Sequence, residues 1–191
     1  MPDPTISDAL AEAYASAPAD KVLIHTLSLW FAGLVDDDDD PTELYFFEGF
    51  TGDRRRDDGV PLRDMRLEPD ARYHGGDVVE WIGVPFRVVL PDVSTRPLPK
   101  GQIIIDNVGR EVADVLMQAV ASGANVEITY RAYLSGMEDD GPQNDPPMVF
   151  QLQNVTIDAT QVKGEVTVAN IAGKRFPGER YTVARFPALS R

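Results

Sequence analysis

Apolar side chains recur at every second position in run after run of this chain. That period of two constrains the fold more than any other feature, because it belongs to strands with one face packed on a core. Val126, Ile128, Tyr130 and Ala132 alternate with Glu127, Thr129, Arg131 and Tyr133, the pattern of a half-exposed strand. Between Lys21 and Phe31, Leu23, His25, Leu27 and Leu29 alternate with Ile24, Thr26, Ser28 and Trp30. This run is apolar enough on both sides to predict a long central strand, buried on one face and covered on the other. Further β patterns occupy Glu43 to Phe50, Ile103 to Ile105, and the two closely spaced runs Val149 to Asp158 and Gly164 to Ala172, which read as a hairpin. Asp77 to Leu90 reads as two short strands around Trp81-Ile82-Gly83-Val84, with Gly83 supplying a positive φ in the turn.

The period changes in two places. Val112, Val115, Leu116, Ala119 and Val120 fall at helical spacing and Gly123 offers a left-handed stop, which predicts a helix over Gly109 to Ser122. Ile6, Ala9, Leu10, Ala13 and Tyr14 behind Thr5 predict a short amphipathic helix in an N-terminal arm, residues 1–18. The turn residues mark the connections. Asp36 to Asp40 with Pro41 is a hairpin tip, residues 51–76 read as a long polar loop, Gly136 to Pro147 as an acidic proline-rich loop, and residues 174–191 as an extended C-terminal arm. The expectation is one domain, 1–191: mainly β, with one good α-helix and a short N-terminal helix.

Charge and cysteine usage exclude whole classes of function. Acidic residues number 31 against 18 basic, a formal net of -13. Such a surface repels nucleic-acid phosphates, so specific binding of DNA or RNA has no electrostatic footing. The absence of cysteine removes disulfides, thiolate zinc sites, iron–sulfur clusters and cysteine nucleophiles together, so packing alone must hold the fold. The first 18 residues are too acidic for a secretory signal and no apolar run is long enough to span a bilayer, so we expect synthesis in a reducing cytoplasm and no membrane anchor.

The residues offer little chemistry. His25 sits in a predicted buried strand and His74 in a polar loop; neither accompanies a nucleophile motif, and two separated histidines cannot make a zinc site. Asp36 to Asp40 lacks the glycine and alternation of a calcium loop, and adjacent exposed aspartates have no means of separating their pKa values as a hydrolase pair requires. Neither Gly49-Phe50-Thr51-Gly52 nor Gly136 to Gly141 has the pattern of a phosphate-binding loop. Arg54, Arg55 and Arg56 beside Asp57 and Asp58 read as a loop that neutralises itself, or as a patch meeting an acidic neighbour. No catalytic residue, metal ligand or cofactor is expected.

Taken in order, Val22 to Leu29, Leu44 to Phe47, Trp81-Ile82-Gly83 with Phe86, and Ser94-Thr95-Arg96-Pro97 ahead of a strand and helix resemble the N-terminal part of the minor tail protein L family of lambda-like siphophages. Phe176-Pro177-Gly178-Glu179-Arg180-Tyr181-Thr182, followed by Arg185-Phe186-Pro187-Ala188-Leu189, resembles a phage and prophage family catalogued as domain of unknown function 1833. The resemblance implies an antiparallel split barrel or sandwich of tail-tube type, with the helix over Gly109 to Ser122 as its one flanking α-helix, and a structural role in the virion. The implied setting is a homo-oligomeric ring, a trimer by hub symmetry, at the tail tip. Its implied partners are the distal tail protein, the receptor-binding hub protein and the tape measure protein, with DNA passing unbound. The cysteine-bearing C-terminal region of the lambda protein, which holds a cluster, has no counterpart in this chain.

On this reading the candidate lumen residues are Asp36, Asp37, Asp38, Asp39, Asp40, Asp139 and Asp140. The candidate interface comprises Ile6 and Leu10, the three arginines Arg54 to Arg56, and Arg180, Tyr181, Arg185 and Phe186. The alternative is a β-sandwich that binds carbohydrate for host recognition. That would want a surface row of aromatics, whereas Trp30 and Trp81 lie in apolar strand contexts suited to a core.

Overall fold

A computed structural model of the chain describes residues 21–36, 38–49, 52–90, 100–106, 111–158 and 160–168. Ten strands form one sheet: β1 (Leu23–Phe31), β2 (Leu44–Glu48), β3 (Arg54–Arg55), β4 (Pro61–Arg66), β5 (Val78–Val84), β6 (Phe86–Val89), β7 (Lys100–Asp106), β8 (Val126–Leu134), β9 (Met148–Ile157) and β10 (Gln161–Val168). Their order across the sheet is β3-β4-β5-β2-β1-β8-β9-β10-β7-β6. All pairings are antiparallel except β2 with β5, which is parallel. The expected mainly β architecture with one principal helix is observed among the described residues. A purely antiparallel arrangement of two sheets is not: there is one mixed sheet, and its ends are not joined by a ladder.

The sheet cannot be flat. Pro85 alone separates the end of β5, third from one edge, from the start of β6, at the opposite edge. Two Cα steps span at most about 8 Å, so the sheet must curl until its far end returns to β5. The main-chain N–H of Asp106 donates to the Pro85 carbonyl at 2.8 Å and fixes β7 at the same seam.

Curling gives the sheet an inside. Leu27, Leu29 and Phe31 of β1, Ile128, Tyr130 and Leu134 of β8, Phe46, Ile103, Ile105, Phe150, Val162 and Val166 form one continuous core there. Helix α1 (Glu111–Ser122) adds Val112, Leu116 and Ala119 of the expected stripe to it, together with Ala113, while Val115 packs against its edge. Gly123 follows with φ +69°, and the Ala124 N–H closes onto the Ala119 carbonyl at 3.1 Å. The central place of β1 and the β9–β10 hairpin also match the sequence pattern.

Three expectations need correction. Residues 51–76 are not one long loop: β3 and β4 lie within them, and β4 pairs with β5 from Leu62↔Ile82 to Arg66↔Val78. Met65 and Leu67 do alternate with Asp64 and Arg66, but Pro61 and the surrounding charges hide so short a run; proline is tolerated as a strand's first residue. Gly83 is not a turn. It lies inside β5, where a Cβ would stand 2.4 Å from Pro61 Cγ and 2.8 Å from Phe47 Cζ, so its role is to let β4 and β2 close in. Third, β8 is not half exposed: Tyr130 to Leu134 are buried on both faces, and only Glu127 and Thr129 are half-buried. The N-terminal and C-terminal arms, 1–18 and 174–191, lie outside the described residues.

Gly83→Ala should destabilise the fold by about 1–3 kcal/mol through overpacking. Urea unfolding checks this; an unchanged midpoint would show that Pro61 and Phe47 yield without cost.

Candidate functional site

The face of the sheet opposite the main core holds the chain's most unusual side chains. Thr26, Ser28 and Trp30 of β1, Glu127, Arg131 and Tyr133 of β8, and Tyr45 and Phe47 of β2 share it by strand register. Residues 67–77, between β4 and β5, fold back across it. That segment is tied to itself by Leu67 N–H to the Asp77 carbonyl at 2.9 Å and Gly76 N–H to the Glu68 carbonyl at 3.0 Å. Ile24, Tyr45, Phe47, Met65, Leu67, Trp81 and Tyr133 form a second, smaller core beneath it.

Within this second core lies a buried ion pair. Arg131, 2% exposed, donates from Nε and Nη2 to the two carboxylate oxygens of Glu68, each at 2.8 Å, and from Nη1 to Ser28 Oγ at 2.8 Å. Burial disfavours the guanidinium's charge, but the hydrogen bonds and charge of Glu68 outweigh it and hold its pKa above the ordinary value. Tyr133 and Tyr45 are held neutral, their pKa values pushed up mainly by burial; for Tyr45 the nearby Glu43 carboxylate adds to the effect. Glu43 Oε2 and Tyr45 Oη are buried without a hydrogen-bond partner. At the rim, the Arg72 guanidinium lies 3.7 Å from the Trp30 ring centroid and pairs with Glu127. Sequence reading missed this cluster, because Arg131 and Glu127 sit at alternate positions normally turned to solvent.

The anticipated site residues do not converge. Asp36, Asp38, Asp39 and Asp40 are exposed at the β1–β2 turn, where Asp36 Oδ1 accepts the N–H groups of Asp38 and Asp40 at 2.9 and 3.0 Å. Asp37 lies outside the described residues. Asp139 and Asp140 are exposed beyond β8, at the other end of the sheet, since Phe31 pairs with Val126 and Leu23 with Leu134. Eight residue steps put roughly 27 Å between those ends. The loop they occupy is also not free: Arg66 Nε donates to the Asp139 carbonyl at 2.8 Å, and buried Asn144 accepts the Ala132 N–H at 2.7 Å in place of a strand.

The arginines of 54–56 serve their own chain. Arg54 pairs with Asp64 at 2.6 Å and Glu80 at 3.1 Å, Arg55 donates to the Gly59 carbonyl, and Arg56 pairs with Asp58 at 2.7 Å. Ile6, Leu10, Arg180, Tyr181, Arg185 and Phe186 lie outside the described residues. His25 is only partly buried; its Nδ1 is 2.7 Å from Tyr130 Oη, and burial pulls its pKa below the ordinary value against the pull of Glu48. Trp81 is fully buried, whereas Trp30 is not part of either core: it is half-buried and its ring is covered by the Arg72 guanidinium. Among the described residues no three histidine or acidic side chains are grouped to hold a metal ion, and no helix is long and apolar enough to cross a membrane.

Fold and site together define a class: a mainly β domain built on one curled mixed sheet, with a single described α-helix inside the curl and a buried ion pair outside it. The chain belongs to the family described as Domain of unknown function (DUF1833), whose model matches residues 9–181. No curated protein matches the chain.

Arg131→Met should cost about 3–5 kcal/mol, because it leaves Glu68 buried and unpaired. The double variant Arg131→Met, Glu68→Leu should recover most of that loss. A denaturant double-mutant cycle reads the coupling, and simple additivity of the two single costs would show that the pair does not act as a unit.

Proposed function

We propose that this chain is a structural subunit of a siphophage tail tip, made in the host cytoplasm and resident in the virion. It would form a ring between the distal tail protein and the receptor-binding hub protein. On this reading the curled sheet is the split barrel of a tail-tube fold, and copies join around a channel that DNA passes without being held. The observation that carries the reading is the open sheet, which ends in two different strands, β3 and β6, with exposed Val89 and Leu90 leading away from β6. Edges that are unequal and unpaired among the described residues suit head-to-tail contacts, which close into a ring when the rotation between copies allows it. The resemblance of the strand motifs to the minor tail protein L family, with that of the C-terminal motif to a phage and prophage family, supplies the setting.

The acidic residues take a divided role in this proposal. Asp36 and Asp38 to Asp40 stand at one end of the β1–β8 pair and Asp139 and Asp140 at the other, so they would ring two levels of a channel. Negative charge at either level repels DNA phosphates and lowers friction.

Disrupting the gene should yield particles without a complete tail tip, and tagged protein should label the tip by electron microscopy. Complete infectious virions lacking the protein would overturn the proposal. Within assembled particles, the combined changes Asp36→Lys, Asp38→Lys, Asp39→Lys and Asp40→Lys should slow DNA ejection several-fold; unchanged kinetics would remove the channel role of that turn.

A further inference from the structure

The second core is short of one positive charge. Two carboxylates are buried there, Glu43 at 6% and Glu68 at 8% exposure, against the single guanidinium of Arg131. Glu68 is fully engaged, each of its oxygens accepting from Arg131 at 2.8 Å. Glu43 is not. Its Oε2 is buried with no hydrogen-bond partner, because Arg131 directs its hydrogen bonds to Glu68 and Ser28 instead.

A second orphaned oxygen lies beside it. Glu43 comes one residue before β2, and the alternation along that strand puts it on the outer face with Tyr45 and Phe47, the face that residues 67–77 cover. Tyr45 Oη is likewise buried and unpartnered. The two groups feel each other: burial first and the Glu43 charge second raise the pKa of Tyr45. The same charge adds to that of Glu68 in favouring the Arg131 guanidinium, which burial opposes. A buried carboxylate without a counter-charge is among the most costly arrangements an interior can hold, and such groups are normally paired or bound to a metal ion. The neighbouring arginines are committed elsewhere. Arg72 pairs with Glu127 over Trp30, Arg63 faces Asp53 and Glu138, and Arg66 donates to the Asp139 and Gly76 carbonyls.

The charge count selects the occupant. Glu43, Glu68 and Arg131 sum to one negative charge, so a singly charged ion neutralises the core and a doubly charged one would reverse its sign. Among the described residues no three histidine or acidic side chains are grouped, the kind of set that holds a divalent ion tightly. Carboxylate and hydroxyl oxygens are hard donors, suited to a hard cation. Glu43 and Tyr45 are also too deeply buried for a basic side chain of another protein to reach. We propose that Glu43 and Tyr45 form, beneath residues 67–77, a binding site for one alkali-metal cation, with Glu43 Oε2 and Tyr45 Oη among its ligands. The ion completes the charge cluster that closes this face, so the hold of residues 67–77 on the sheet depends on it. The inference rests on the second core alone and stands apart from the tail-tip proposal.

Thermal unfolding of the purified full chain tests it, at constant pH and ionic strength, in sodium, potassium or choline chloride, with choline as the bulky reference cation. With the alkali ion at about ten times its dissociation constant, the midpoint should stand about 3–6 °C above that in choline chloride. Whichever of sodium and potassium raises it more is the ion the site takes. Glu43→Gln keeps the shape and removes the charge, and should abolish the difference between the salts. Tyr45→Phe removes only the neutral ligand, and should shift the response to higher alkali concentration. Asp36→Asn alters an exposed carboxylate of the β1–β2 turn and should leave the response unchanged, which separates the site from the general acidity of the surface. Circular dichroism establishes that each variant is folded, and crystals grown in rubidium chloride should show an anomalous peak beside Glu43 Oε2. Equal midpoints in the three salts would overturn the proposal and leave a water or a proton as the partner of Glu43. A difference that survives in folded Glu43→Gln, or a rubidium peak only elsewhere, would overturn it as well.

Discussion

The bidentate contact between Arg131 and Glu68 is the interaction on which the outer half of the structure depends. It joins the most central strand pair, β1 with β8, to a segment more than sixty positions away in sequence. Without it, residues 67–77 would have to cover a face carrying Thr26, Ser28 and a bare guanidinium. Taking two charges out of water costs several kcal/mol per ion, and only good geometry with further hydrogen bonds offsets that. Ser28 Oγ, and Thr26 Oγ1 donating to the Arg131 carbonyl at 3.0 Å, supply the rest of the network. The network is directional as well as stabilising, because only one placement of Glu68 satisfies the guanidinium fork.

With that face closed, β1, β2 and β8 are covered on both sides and become the rigid centre of the sheet. The curl follows from connectivity instead. A single proline between β5 and β6 leaves the chain no length for a crossover, so the sheet itself must bring its two ends together. The helix fills the inside of the curl with Val112, Ala113, Leu116 and Ala119. In this member of the family the described residues are held by packing and one buried charge pair, and the chain has no cysteine for a disulfide.

Much of this frame was legible in the residues. Period-two alternation located β1, β8 and the β9–β10 hairpin, and helical spacing with Gly123 located α1, because each is a local signal repeated over many residues. Shorter signals failed. β4 is six residues long and highly charged, so its alternation was lost among the arginines and aspartates around it. Gly83 was read as a turn because glycine serves both positive φ and close approach, and only the positions of Pro61 and Phe47 distinguish the two. The acidic groups were read as one set because sequence gives their charge and not the end of the sheet they occupy.

The sequence by itself determined the class of structure: mainly β, one principal helix, no thiol chemistry, and a formal net charge of -13. These follow from composition and from contacts between near neighbours in the chain. The tertiary structure decided the rest. It made β2 and β5 parallel neighbours, rolled the sheet around Pro85, and turned Arg131 from a residue at a solvent position into the anchor of a second core. Burial is a property of what lies across from a residue, and for Arg131 that partner comes from a distant segment whose arrival no local pattern announces.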